Sequence, residues 1–174
     1  MRYIGSKLRL LDFIEETITE FESDLKNKIF CDLFSGTAIV ACHFKNKCSK
    51  IISNDLEHYS YVAQRNYIGN NNDSYCEALI DKYGKSKPMH GPLTEALSPA
   101  GREKRMFFTT SNAMKIDGIR KSIQEDFDRN KLSEDEYYFL VCSIMESADK
   151  VANTTGVYGA FLKSFKDTAS RKID

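Results

Sequence analysis

Ten residues, Ile29-Phe30-Cys31-Asp32-Leu33-Phe34-Ser35-Gly36-Thr37-Ala38, decide the fold of this chain. The first six form a short apolar run that is interrupted at Asp32 and stops at Ser35-Gly36. Such a run predicts a buried strand that ends in a tight turn. Residues 37–44 are apolar again and long enough to begin a helix, so a strand is expected to lead through the turn into a helix.

A second strand and a second helix follow this first pair. Residues 51–53 predict a short strand closed by Asn54-Asp55, and a tyrosine-rich helix is expected from Leu56 to about Tyr67. Parallel strands need helical crossovers, so residues 29–67 predict a βαβ unit and an α/β fold.

Helical periodicity predicts three further helices around this unit. One covers residues 7–22, begins after Ser6 and has Leu11, Ile14, Ile18 and Phe21 on one face; another covers 111–129. A third runs to about Val151 and begins at a capping box formed by Ser133 and Glu136. Residues 84–101 hold all three prolines and predict an irregular loop, and residues 157–172 form a basic tail compatible with a helix. We expect an α/β part over residues 1–70 and a mostly helical part over residues 71–174.

The turn after the first strand has features of a binding loop. Gly36 lets a ligand approach the backbone closely, and the amides at the start of the next helix favour an anionic group. Asp55 ends the second strand about 20 residues later, where nucleotide-binding βαβ units carry an acid that accepts hydrogen bonds from ribose hydroxyls. The GxGxxG fingerprint and the P-loop are both absent. From these residues alone, the turn either binds a ribose-containing cofactor or serves packing.

Charge is distributed unevenly although Lys plus Arg and Asp plus Glu are 25 each. Residues 82–121 are basic and residues 122–149 are acidic. Two interpretations stay open: two solvated faces that offset each other, or a basic surface for nucleic-acid phosphates. The cations of that surface would be Lys82, Lys85, Lys87, Arg102, Lys104 and Arg105.

Apolar runs are too short to span a bilayer, so a membrane protein is not expected. The five cysteines include no CxxC pair, which indicates reduced thiols and a cytoplasmic protein rather than a disulfide framework. The histidines lie far apart with no neighbouring ligands at metal spacing, so no metal site is expected.

Four stretches together resemble the Dam-type DNA N6-adenine methyltransferases. Their order along the chain is more specific than any one of them. They are Arg2-Tyr3-Ile4-Gly5-Ser6-Lys7, Asp32-Leu33-Phe34-Ser35-Gly36-Thr37-Ala38, Asn54-Asp55-Leu56-Glu57, and the segment from Asp149 to Lys163. The second stretch is similar to the family's FxGxG loop, and the third to its acidic motif.

This resemblance implies S-adenosyl-L-methionine as the cofactor and double-stranded DNA as a partner. Tyr3 and Lys7 would line the methionine end of the pocket, and Asp55 would bind the ribose hydroxyls. The full set of implied cofactor-binding residues is Tyr3, Lys7, Asp32, Phe34, Ser35, Gly36, Thr37 and Asp55. The implied DNA-binding residues are Lys104, Arg105, Tyr158 and Lys163.

Two departures from the family pattern stand out. Ala38 occupies the last position of FxGxG: at positive φ an alanine costs about 1 kcal/mol, whereas in the first turn of a helix it is favourable. The family's catalytic motif contains Pro-Pro-Tyr or Pro-Pro-Phe, and this chain has no Pro-Pro pair. No catalytic residue is therefore assigned.

The resemblance thus implies a partial Rossmann-like methyltransferase sheet with a helical insertion, carrying the N-terminal, cofactor-binding portion of a restriction-modification DNA adenine methyltransferase. Two strands alone form a marginal sheet, so we expect weak stability, no turnover by the chain alone and a complementary C-terminal fragment as partner. A truncated product, a piece of a split enzyme and a fragment stay open as origins. The alternatives are a non-catalytic module that binds DNA or protein, and an inactive remnant.

Overall fold

The computed structural model describes residues 5–70, 76–155 and 159–173, which form two units. The first unit comprises residues 5–70, and the second comprises the described residues from 76 to 173. Helices account for most of the regular structure in both.

The first unit contains the predicted βαβ arrangement. Its elements are a 3₁₀ turn (Leu8–Leu10), α1 (Leu11–Phe21), β1 (Ile29–Asp32), α2 (Ile39–Phe44), β2 (Lys50–Ser53) and α3 (His58–Gln64), which continues as a π-helical turn (Arg65–Gly69). The strands pair in parallel, with Ile29 opposite Lys50 and Asp32 opposite Ser53. The α/β class is confirmed at this level, as a two-stranded parallel sheet with helices.

Helix α2 covers one face of this sheet. The ring of Phe44 is fully buried and stacks on the ring of Phe30 with centroids 4.3 Å apart. Ala41 in α2 and Val62 and Ala63 in α3 are also buried, so small and aromatic side chains together form the core of the unit. Helix α1 presents a half-buried stripe as expected, but Phe21 at its end is 87% exposed, so its assignment to that stripe was wrong.

The second unit is helical. Its elements are α4 (Cys76–Gly84), α5 (Pro92–Leu97), α6 (Thr110–Asp128), α7 (Glu134–Val151) and α8 (Asp167–Ser170). The capping box at Ser133 is present as predicted, with Ser133 N donating to Glu136 Oε2 at 2.8 Å. Helices α6 and α7 pack along apolar faces that include the buried residues Ile116, Ile123, Leu140 and Ile144.

Two polar side chains of α6 anchor its neighbours. The buried carboxylate of Asp117 accepts hydrogen bonds from Leu93 N at 3.0 Å and Thr94 N at 2.8 Å, and so caps the amino end of α5. The buried amide of Asn112 donates from Nδ2 to Arg171 O at 2.8 Å and accepts at Oδ1 from Ile173 N at 3.2 Å. Helix α6 therefore holds α5, which lies about 20 residues earlier in the sequence, and the segment 171–173, which lies about 60 residues later.

The prediction of an irregular loop over residues 84–101 was wrong in part, because this stretch contains helix α5. Pro92 occupies the first turn, where its missing N–H costs nothing, and Asp117 supplies the cap from a distant helix. The prediction of a helical tail over 157–172 was largely wrong, because within the described part of that range the helix is limited to α8. No helix of the described residues is long and apolar enough to cross a membrane.

Candidate functional site

The carboxyl ends of β1 and β2 lie side by side, and their loops continue the pairing. Asn54 N donates to Asp32 O at 2.9 Å, and Ser35 N donates to Asn54 O at 3.0 Å. The Asn54 side chain donates to Leu33 O at 2.9 Å, while Ser53 Oγ donates to Ser35 Oγ at 2.9 Å. These bonds bring the two sequence-predicted loops together and hold their backbones in one fixed arrangement.

Asp55 joins these two loops through its carboxylate. Oδ2 accepts a hydrogen bond from Gly36 N at 2.8 Å, and Oδ1 accepts one from Glu57 N at 3.1 Å. The amides of Glu57 and Gly36 hold the pKa of Asp55 below its usual value, so the carboxylate is ionised at neutral pH. The amide of Leu56 and the hydroxyl of Ser60 also lower this pKa, so hydrogen-bond donors surround the carboxylate of Asp55.

Asp32, at the end of β1, has the opposite electrostatic character. Burial raises the pKa of its carboxyl group, and the negative charge of Asp55 adds to this rise. The backbone amides of Phe34 and Ala41, and to a smaller extent Lys7, act in the opposite direction. Two neighbouring carboxylates whose pKa values shift in opposite directions are typical of a binding or catalytic site, although structural networks also produce this pattern.

The turn between the strand and α2 uses two left-handed residues. Gly36 has φ 52° and Ala38 has φ 63°. Ala38 N donates to Ser35 O at 2.7 Å, and α2 begins only at Ile39. Ala38 therefore has the positive φ that costs an alanine about 1 kcal/mol, and it is not in the first turn of the helix. Its methyl group is fully buried, which offsets roughly 0.8 kcal/mol of that cost.

The remaining residues of the predicted cofactor set differ in exposure. Phe34 is 90% exposed beside the turn, Leu56 next to Asp55 is 95% exposed, and Thr37 is half-buried. Lys7 is exposed, and its ammonium group donates to Gly5 O at 2.7 Å. The structure thus brings Asp32, Phe34, Ser35, Gly36, Thr37 and Asp55 to one end of the sheet, while Tyr3 lies outside the described residues.

The predicted DNA-binding residues belong to the second unit. Lys104 is exposed with φ 47°, and Lys163 is exposed after the antiparallel bridge between Thr154 and Phe161. Arg105 lines two open cavities of about 740 and 410 Å³, the second of which it shares with Phe107 and Phe161. Tyr158 lies outside the described residues.

Ion pairs neutralise part of the predicted basic surface. Lys82 Nζ lies 2.8 Å from Asp126 Oδ2, Arg102 Nε lies 3.6 Å from Glu95 Oε1, and Arg105 pairs with Glu103. The pairing of Lys82 bridges α4 and α6, so this lysine has a structural role. The sequence could not show the pair of Lys82, because its partner lies more than 40 residues away.

Asn153 organises the segment that precedes Lys163, and the sequence analysis did not single it out. Its fully buried Nδ2 donates to Met106 O, Leu162 O and Ser164 O at 2.9, 3.1 and 3.2 Å. Its Oδ1 accepts from Lys166 N at 3.1 Å. The available signal was its position within the quoted segment from Asp149 to Lys163.

Residues 5–70, 76–155 and 159–173 contain no group of three His, Cys, Asp or Glu side chains placed to hold a metal ion.

Comparison with known proteins places this chain in one family. The model of the D12 class N6 adenine-specific DNA methyltransferases matches residues 3–174. The type II methyltransferase M.NlaIII of Neisseria lactamica is 42% identical over 180 residues, which cover 99% of this chain and 52% of that protein. The type II methyltransferase M.CviAII of Paramecium bursaria Chlorella virus 1 is 43% identical over 174 residues, which cover 98% of this chain and 52% of that protein.

A third relative, the modification methylase LlaI of Lactococcus lactis subsp. lactis, is 35% identical over 99% of this chain and 29% of its own length. The chain thus spans about half the length, or less, of these curated relatives. No solved structure matches it significantly. The match over nearly the whole chain shows that the protein belongs to the D12 class of N6 adenine-specific DNA methyltransferases.

Proposed function

We propose that this chain is the S-adenosyl-L-methionine-binding portion of a DNA adenine N6-methyltransferase. The observation that carries the proposal is the bond between Asp55 and Gly36 N at the carboxyl ends of two parallel strands. In open α/β sheets, ligands bind outside these ends. A Rossmann-like sheet, of which β1 and β2 form a part, belongs to the same proposal.

Each cofactor residue has a role that its surroundings support. The ionised carboxylate of Asp55 would accept hydrogen bonds from the ribose hydroxyls, which would add to or replace those from its present donors. The exposed ring of Phe34 would contact the cofactor together with the backbone of Ser35, Gly36 and Thr37. Lys7, at the amino end of the 3₁₀ turn, would lie at the methionine end. Asp32, at the end of β1, would line the cofactor pocket. Tyr3 is proposed with them on the family resemblance alone.

The cofactor's sulfonium supplies an activated methyl group for transfer to adenine N6. The residues described above would bind and orient this group. The chain contains no Pro-Pro pair, so the groups that accept the target amine are proposed to come from a complementary portion of the methyltransferase. The chain alone is therefore expected to show no turnover.

Double-stranded DNA is the proposed substrate, and the second unit is the proposed DNA-facing part. Lys104 and Lys163 are exposed cations that would contact phosphates, and Arg105 lines two cavities, one of them beside the rings of Phe107 and Phe161. Tyr158 is added by resemblance to the family. We also propose that the protein acts in restriction-modification and is located in the cytoplasm.

Calorimetric titration of S-adenosylhomocysteine into the purified chain tests the cofactor site. Asp55→Ala is expected to abolish the heat of binding, whereas Asp12→Ala, an exposed aspartate in the first turn of α1, retains it. Because Asp55 also fixes the loop, Phe34→Ala provides a second variant: this ring is 90% exposed, so its removal leaves the fold intact. We expect it to weaken binding by roughly fivefold, from lost aromatic contact. An affinity equal in all four proteins contradicts the proposal.

A further inference from the structure

We infer that Glu15 is a positioning residue of the proposed cofactor site: it ties α1 to α2 and thereby sets the place of Lys7 relative to the loop of residues 34–37. The inference rests on the proposed function, because it takes Lys7 to lie at the methionine end of S-adenosyl-L-methionine. It adds a residue that lies outside the candidate site and acts on the cofactor through another side chain.

One carboxylate oxygen of Glu15 meets two nitrogen atoms from α2 and the turn that follows it. Oε2 lies 2.5 Å from Nε2 of His43 in α2, and it accepts a hydrogen bond from Nζ of Lys47 in the turn. The side chains of Glu15, His43 and Lys47 are 30%, 20% and 35% exposed, so the cluster is largely shielded from solvent. Lys47 first and His43 second hold the pKa of Glu15 below its usual value, so this carboxylate is ionised at neutral pH.

Both helices continue directly from a stretch of the proposed cofactor set. Lys7 precedes the 3₁₀ turn that leads into α1, and Leu10 N donates to Lys7 O at 2.8 Å. The loop of residues 34–37 leads into α2. The positive charge of Lys7 lowers the pKa of Asp32, just before that loop, so the two stretches are close enough to interact. The position of α1 against α2 therefore determines how Lys7 lies relative to the loop.

The two helices differ in how firmly they are packed. Helix α2 contributes the fully buried side chains of Ala41 and Phe44, and Phe44 also stacks on Phe30 of β1. None of the residues of α1, all of which the structure describes, is buried, and the inward stripe of this helix is half-buried. Apolar packing thus holds α1 less firmly than α2. The directional contacts of Glu15 are therefore well placed to define where α1 lies.

A purely stabilising ion pair is the alternative interpretation of these contacts, and the choice of ligand separates the two. Loss of a merely stabilising contact affects every ligand of the site equally, whereas loss of a positioning contact affects the part of the ligand that Lys7 reaches. S-adenosylhomocysteine carries a carboxylate at its amino-acid end, to which an ammonium group can donate a charge-assisted hydrogen bond. The compound 5′-methylthioadenosine has the same adenine, ribose and sulfur but lacks that end.

Calorimetric titration of both ligands into the full chain is the test. Glu15→Gln is expected to weaken binding of S-adenosylhomocysteine about fivefold or more, because Lys7 then loses part of a hydrogen bond to a charged group. Its affinity for 5′-methylthioadenosine should stay unchanged. Lys47→Met removes the partner from the other side of the contact and should have the same selective effect. Glu16→Gln changes an exposed neighbouring acid of α1 and is the matched control, with wild-type affinity for both ligands.

A double variant tests whether Glu15 acts through Lys7. Lys7→Met alone should weaken binding of S-adenosylhomocysteine about tenfold, and the addition of Glu15→Gln should then change the affinity by less than about twofold. Equal weakening of both ligands by Glu15→Gln, additive losses in the double variant, or wild-type affinity in any of the three single variants Glu15→Gln, Lys47→Met and Lys7→Met overturns the inference but not the cofactor site. An unaltered chain that binds neither ligand refutes the proposed function, and this inference with it.

Discussion

Replacement of Asn153 by alanine tests whether one buried amide holds the loop around residues 153–166 together. The side chain is fully buried, and it contacts three carbonyl oxygens and one backbone amide. Alanine removes all four contacts. It leaves the carbonyls of Met106, Leu162 and Ser164 and the amide of Lys166 without this partner.

The magnitude follows from these contacts. The two N–H groups of the amide are shared among three carbonyls, so about three hydrogen bonds are lost; at about 1 kcal/mol each, the cost is about 3 kcal/mol. Domains are stable by only about 5–15 kcal/mol, so this is a large fraction of the total. With a urea dependence of about 2 kcal/mol per molar, the unfolding midpoint should fall by about 1.5 M.

Urea unfolding followed by circular dichroism is the appropriate assay, because the chain has no tryptophan and helices dominate the signal. Thr155→Ala changes an exposed side chain two residues away and should shift the midpoint by less than about 0.3 M. Asn153→Asp keeps the volume but places a carboxylate against three carbonyls, so it should destabilise the protein at least as much. Wild-type stability in either Asn153 variant refutes the reasoning.

Two further stability predictions arise from the second unit. Gly118→Ala should lower the free energy of unfolding by about 1–3 kcal/mol in the same urea assay, because a Cβ at this position would lie 2.1 Å from Lys87 O. Gly84→Ala is the control and should leave the free energy of unfolding nearly unchanged, since a Cβ there would meet no atom within 4 Å. Asp126→Asn should destabilise the protein at neutral pH, since Lys82 holds the pKa of Asp126 well below its usual value. That stabilisation is present above the unfolded-state pKa of about 4 and is lost as pH falls, so the difference in melting temperature between wild type and variant should shrink in acid. A difference independent of pH contradicts this assignment.

Local sequence patterns predicted the elements whose stabilising contacts are local. The capping box of Ser133 and Glu136 is a short-range motif, and it is present. The βαβ order of residues 29–67 followed from apolar runs and turn residues, and both strands are present. Helix α5 was missed because its cap, Asp117, lies 23 or 24 residues away and prolines in the same stretch indicated a loop.

In the candidate site as well, local patterns could be predicted and contacts between distant residues could not. The positions of Gly36 and Asp55 relative to the strands could be predicted from spacing. Their direct hydrogen bond and the backbone angle of Ala38 could not, because both depend on how the two loops pair. The roles assigned to cofactor and DNA residues remain predictions. The ion pairs of Lys82 and Arg105 reduce the free positive charge that the sequence pattern indicated, since counting residues does not reveal partners.

The bonds from Asn112 to residues 171 and 173 have a consequence for synthesis on the ribosome. The partners of β1 and of the Asp55 loop all lie within residues 5–70, so this unit can fold while the rest of the chain is still being translated. The backbone groups of residues 171 and 173 that bond to the Asn112 side chain emerge from the ribosome about 60 residues after Asn112 itself. The second unit therefore completes its hydrogen bonding later than the first, and water covers the side-chain amide of Asn112 until residues 171 and 173 have emerged.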